Sequence, residues 1–253
     1  MPFTFAHAAA GIPFRRARLA WSAFFVGSFA PDFEYFLRLG PQNSYAHRWP
    51  GVALFTFPAA CIALVLYELF VREMLVSMLP PGTQTKIPPP RFRVSLGHVA
   101  LTLASIALGI ATHIFWDGFT HSWSWATDLW PSLMRPVELP IFGVRPLTEL
   151  LQGLSSVFGM GAVIIWSLRW LSNAAPDYAV RSASPRRWRT AAYLCSVAVI
   201  LASISRALTF TQAPLEDVGK FLVLVTVNII GLLWWCLLAA GIIRRVTIRE
   251  AGR

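Results

Sequence analysis

The chain has 253 residues, of which 56% are hydrophobic and 13% charged; 22 Lys and Arg against 12 Asp and Glu give a net charge of +10. A mean hydropathy of +0.56 exceeds what a water-soluble globule needs for its core, and excludes that class. The positive charge does not point to nucleic acid, because the arginines stand in short clusters beside apolar runs, not along one soluble face.

The expected fold is all-α: a polytopic membrane helical bundle of five to six spanning helices with an N-terminal re-entrant helical hairpin. Residues 3–14, which include Phe5-Ala6-His7-Ala8-Ala9-Ala10-Gly11, are expected to form a short helix folded back on residues 19–31, with Arg15, Arg16 and Arg18 at the turn. Each arm is then about 16 to 20 Å long at 1.5 Å per residue. Membranes tolerate such a hairpin only with protein around it. Read instead as a crossing, residues 19–39 make a weak sixth span, because they carry Asp32, Glu34 and Arg38. Five clear runs follow at 52–71, 94–116, 154–171, 188–208 and 221–243. Each has the roughly 18 to 25 residues needed to cross a hydrocarbon core of about 30 Å.

Between them, residues 80–90 read as a Pro-rich loop, not a second domain. Residues 118–153 carry Trp123, Trp125 and Trp130, then Pro131, Pro136, Pro140 and Pro146. This stretch is either an interfacial aromatic belt or a lid on which Arg135 and Arg145 hold an anionic group. Basic residues cluster at Arg15, Arg16 and Arg18, at Arg72, Lys86, Arg91 and Arg93, at Arg181, Arg186, Arg187 and Arg189, and at Arg244, Arg245 and Arg249. With six crossings all four clusters share one side, and the last intervening loop holds Glu216 and Asp217. The positive-inside rule then makes both termini cytoplasmic and the His-bearing loops extracytoplasmic. Cys61, Cys195 and Cys236 lie within apolar spans as small hydrophobes, so no disulfide framework is expected. No internal repeat is evident, and no cleavable signal peptide is expected. The chemistry-bearing groups concentrate in residues 1–150, while residues 151–253 supply three further helices; the two halves are expected to form one structural unit.

The most informative stretch is His113-Ile-Phe-Trp-Asp117 followed by Gly-Phe-Thr-His121, where two imidazoles and a carboxylate stand at i, i+4 and i+8. On a helix these steps differ by about 40°, so the three project from one stripe. Ionisable groups near membrane depth are costly and default to function. His7, the Asp32 and Glu34 of Pro31-Asp32-Phe33-Glu34, and the His47-Arg48 pair complete the set. Imidazole nitrogen with carboxylate oxygen suits Zn²⁺, Mn²⁺ or Fe²⁺, and the lack of available thiolate argues against a closed structural zinc site. His98, about 22 Å of helix rise from His113, reads as interfacial.

The order His7, Pro31-Asp32, His47-Arg48, His113-x-x-x-Asp117 resembles the bacterial membrane-bound metal-dependent hydrolases, which include a LexA-regulated inner-membrane protein. The opening Met1-Pro-Phe-Thr-Phe-Ala-His7 is similar to an uncharacterised multi-pass branch of that group, a domain of unknown function. The ligand order is also similar to that of zinc-dependent phospholipase C. The resemblance implies a first metal on Asp32, His47, His113 and Asp117, and a second on His7 with Asp117 as bridge. The chain departs from the family pattern in having Glu34 where an Asp is common and only His47 of a histidine pair. No histidine follows His121, so a downstream HxxxE pair is absent and at most two metals are expected.

Two functions are expected from these residues. In the first, a divalent metal, Zn²⁺ above all, serves hydrolysis of a lipid or lipid-linked phosphoester at the outer face of a bacterial plasma membrane. Glu34 or His121 then acts as general acid or base, and Arg48, Arg135 or Arg145 holds phosphate. In the second, the same groups serve a transporter or a non-catalytic membrane protein. For such a path the later spans carry Asn228, Ser203 and Ser205.

Overall fold

The structure is a computed structural model that describes residues 3–14, 16–40, 42, 45–89, 95–122, 124–139, 143–180, 186–211 and 218–251. Arg15, Arg91, Arg93, Trp123, Pro140, Arg181, Glu216 and Asp217 lie outside the described residues. In chain order come a 3-10 helix at Thr4–Phe14, α1 (Trp21–Phe29), a 3-10 turn at Ala30–Asp32 and α2 (Phe33–Arg38). Then follow α3 (Val52–Met78), α4 (Pro81–Gln84), α5 (Leu96–Thr120), α6 (Trp125–Leu129) and a 3-10 turn at Pro131–Met134. A small antiparallel hairpin of β1 (Pro136–Leu139) and β2 (Gly143–Pro146) precedes α7 (Leu147–Asn173), α8 (Arg186–Phe210) and α9 (Val218–Ala251).

Five helices are long and apolar enough to cross a membrane: Val52–Met78, Leu96–Thr120, Leu147–Asn173, Trp188–Phe210 and Val218–Thr247. The protein is an all-α membrane protein. The weak sixth segment is broken into α1, a turn and α2, because Pro31 lacks a backbone N–H and Asp32 is engaged elsewhere.

The chain divides into two compact units. The first comprises Met1–Asp32, Tyr45–Cys61 and Arg93–Asn173. Within it the N-terminal 3-10 helix and α1 form the two arms of a hairpin, both packed into the unit, the first arm against α7 and the second against α5. The first arm is built of small residues, and a Cβ on Gly159 of α7 would press on Ala6. The second arm crosses α5 at two glycines: a Cβ on Gly27 would strike the Ile106 carbonyl, and one on Gly109 the Phe24 carbonyl. Such backbone-to-backbone approach is the usual use of small residues between helices in membranes. The Ala20 N–H donates to Ser105 Oγ at 3.0 Å and secures the start of α1.

The second unit comprises Phe33–Ser44, Ile62–Phe92 and Ala174–Arg253. In it α9 packs on α8, on α2 and on the later half of α3. Asn228, fully buried, donates to the Leu39 carbonyl at 3.2 Å beyond the end of α2, and Gly231 admits the Phe36 carbonyl.

Candidate metal centre

Three short pieces of the first unit and one long helix carry the site. On α5, Gly109, His113 and Asp117 follow at intervals of four and form one buried stripe. The third member of the expected stripe, His121, is the extended C-cap residue, with φ −117° and ψ 137°. Its Nδ1 lies 3.1 Å from the main-chain oxygen of Asp117 and 3.7 Å from Oδ2. The glycine crossing explains the placement of His113. It brings the carbonyl of Ser28, next to Gly27, to 2.7 Å from His113 Nδ1. A carbonyl only accepts, so Nδ1 carries the proton, and the neutral ring turns the lone pair of Nε2 to the cluster.

His7 arrives from the 3-10 helix. At three residues per turn, Thr4 and His7 share one face, and both are buried. Thr4 Oγ1 donates to Asp32 Oδ2 at 2.6 Å, which turns Oδ1 toward the histidines. His47 stands on the loop before α3, where Thr56 holds the preceding Ala46 carbonyl with a 2.7 Å hydrogen bond.

These groups converge. His113 Nε2 lies 3.2 Å from Asp117 Oδ2, 3.7 Å from Asp32 Oδ1 and 3.3 Å from His47 Nε2. His47 Nε2 repeats the pattern, 3.2 Å from Asp117 Oδ2 and 3.7 Å from Asp32 Oδ1. His7 Nε2 lies 3.4 Å from the other Asp117 oxygen, Oδ1, and its ring stacks on His113 at 3.7 Å. Two overlapping triads, His7 with His113 and Asp117, and Asp32 with His47 and His113, keep their ligand atoms within 4.8 Å of one another.

The donor set fits a divalent metal. His7 Nε2, Asp32 Oδ1 and both Asp117 carboxylate oxygens are buried without a hydrogen-bond partner. Each such atom costs about 1–3 kcal/mol, more for a charged group. A cation among them satisfies all four at once. Burial lowers the His7 pKa to about 3, with the neighbouring His113 adding to the effect and Asp117 opposing it, so the ring is neutral and able to ligate. Burial also holds the His121 pKa down. It pushes the Asp32 carboxyl up, against the pull of His113 and His47, a penalty that a bound cation offsets. His113 has one nitrogen on the cluster side, enough for one ion. Asp117 faces His47 and His113 with Oδ2 and His7 with Oδ1, the disposition of a bridging carboxylate.

The remaining residues singled out in the sequence lie differently. Glu34 is buried in α2 and pairs with Arg38 at 3.0 Å. Arg48 is exposed beside His47. Arg135 is exposed before β1, and Arg145 is exposed on β2 and 3.8 Å from Glu149. Sequence reasoning missed Thr4, Ser28 and Thr56. Thr4, three residues from His7 in a helical segment, offered a faint signal; Ser28 acts through its main chain and offered none.

The family described as "Domain of unknown function (DUF4184)" matches residues 1–242. The chain belongs to the DUF4184 family. The DUF4184 region takes in all five residues of the two His/Asp triads and four of the five long helices whole. No curated protein and no solved structure matches the chain.

Proposed function

We propose that this DUF4184 protein is a membrane-bound, metal-dependent hydrolase of a lipid or lipid-linked phosphoester. The observation that supports this best is the set of four buried, unpartnered donor atoms on His7, Asp32 and Asp117 around the free nitrogen of His113. Asp32, His47, His113 and Asp117 hold a first ion, Zn²⁺ above Mn²⁺ or Fe²⁺, and His7 with the other Asp117 oxygen holds a second. A divalent ion supplies Lewis acidity there and makes water a nucleophile near neutral pH.

The chain's own groups set the approach. Side-chain exposure is 0% for Asp32 and His113 but 22% for His47 and 33% for His121, so a reactant enters on the His47 and His121 side. His121 at that mouth takes up or delivers a proton at its ring. Glu34 is held by Arg38 and leaves that role to His121. Arg48, next to His47, presents a guanidinium for phosphate. Trp49 and Trp116, both exposed, suit the headgroup level of a bilayer and favour a lipid reactant.

In our reading the site opens on the extracytoplasmic face of a bacterial plasma membrane. The hairpin returns to the face it left, so the crossings number five, not six. The N-terminus then shares the site's face, and only the C-terminus is cytoplasmic. This differs from the six-crossing expectation of two cytoplasmic ends.

The test is phosphoester hydrolysis by purified, metal-loaded protein in mixed phospholipid–detergent micelles. Wild type is expected to release product, to stop after chelation and to resume on metal return, while Asp117→Asn stays inactive and Arg206→Gln does not. No turnover by metal-loaded wild type across diester and monoester probes contradicts the phosphoester reading.

A further inference from the structure

We propose that the second unit carries a binding site for one anionic phospholipid, where the ends of α3 and α9 lie side by side. The two helices run in the same direction there: Gly241 admits the Phe70 carbonyl, and Arg244, farther along, donates to Ser77 Oγ. Their C-terminal ends therefore share one membrane face. A groove opens between them, lined by Leu69, Phe70, Ile242 and Val246, with Arg245 as its polar member.

The basic residues at this end are not equivalent. Arg72 pairs with Glu68 at 2.7 Å and donates to the Pro88 carbonyl at 3.0 Å. Arg244 lies within electrostatic reach of Glu73 and donates to its carbonyl at 3.5 Å. Arg245 differs. It donates from Nη1 to the Leu69 carbonyl at 2.8 Å and lies 5.4 Å from the centre of the Phe70 ring. Among the described residues no carboxylate pairs with it. These two contacts use one N–H and one face of a group with five N–H donors. The guanidinium is thus half-buried, fixed in orientation and short of an anion.

An anionic glycerophospholipid supplies both missing parts. Its phosphate takes the fork of Arg245, and an acyl chain covers Leu69, Phe70, Ile242 and Val246, of which Ile242 is 40% and Val246 50% exposed. Basic pockets between membrane helices recognise anionic headgroups in this way. A soluble phosphate satisfies only the first part and leaves the apolar walls bare. This site is independent of the His/Asp cluster, which belongs to the first unit.

The test is native mass spectrometry of the full chain, released from nanodiscs of phosphatidylcholine with phosphatidylglycerol at equal amounts. Wild type is expected to retain one phosphatidylglycerol in preference to phosphatidylcholine, undisturbed by millimolar inorganic phosphate. Arg245→Gln is expected to lower that preference about fivefold, the worth of one basic group at the membrane surface, while Arg245→Lys keeps much of it. Val246→Glu, at an exposed position that the fold tolerates, places a carboxylate in the groove and is expected to abolish retention. Arg206→Gln removes the same charge elsewhere and is expected to change nothing. Equal retention of both lipids by wild type, equal loss in Arg206→Gln and Arg245→Gln, or displacement by inorganic phosphate overturns the proposal.

Discussion

His113 is defined by what its two nitrogens face: one gives its proton to a main-chain carbonyl, the other points into a ring of acceptors. Supporting contacts of this kind set the affinity of a metal site nearly as much as the ligands do. Thr4 plays the corresponding part for Asp32. Thr4→Val keeps the shape and removes the hydroxyl, so zinc affinity, measured by competition with a chromophoric chelator, is expected to fall about 10- to 100-fold while the fold is retained. An unchanged affinity would mean that Asp32 does not ligate. At this scale the sequence was legible where side chains carry the chemistry: His7, Asp32, His47, His113 and Asp117 were all singled out by residue type in a greasy chain, and the structure brings them together. It was silent where the main chain does the work, as at Ser28, because a carbonyl is common to every residue. For Arg135 and Arg145 the charge was visible in sequence but the exposure and the neighbouring Glu149 of Arg145 were not.

The elements explain why the cluster can exist at all. A 3-10 helix of eleven residues is long for its kind, yet its small side chains let it pack into the unit, and its three-residue turn aligns Thr4 with His7. The hairpin itself was legible, because His7 lacked any other route to the remaining His and Asp residues. The helix type was not, since Ala-rich sequence favours α and only packing selects the tighter turn. The crossing of α1 and α5 at Gly27 and Gly109 fixes the register between Ser28 and His113. Gly109→Leu forces these backbones apart at a cost of about 1–3 kcal/mol, and is expected to lower both thermal stability and bound metal although no ligand is changed. Thr56→Val frees the Ala46 carbonyl and with it the His47 loop. Metal content is expected to fall in that variant while the stability of the metal-free protein changes by only about 1 kcal/mol.

For the molecule as a whole, five long apolar helices define the class, and their positions were legible from hydropathy because lipid-facing helices need unbroken apolar runs. The sixth segment was legible in part: Asp32, Glu34 and Arg38 mark residues 19–39 as a weak span, while the tie between Asp32 and Thr4 at the break shows only in the structure. The five crossings proposed above, being odd in number, carry a topological consequence. In intact spheroplasts, an impermeant maleimide is expected to label a cysteine added before Met1 and to spare one added after Arg253; the reverse pattern, or equal labelling, contradicts the five-crossing reading. The claim on which the rest depends is that the His/Asp cluster binds metal. Elemental analysis of detergent-purified protein, loaded with Zn²⁺ and desalted, tests it most directly. One to two equivalents are expected in wild type and in His98→Ala, whose imidazole is exposed at the far end of α5, and less than half of that in His113→Ala and Asp117→Asn. Equal metal in all four proteins, or none in wild type, would contradict it.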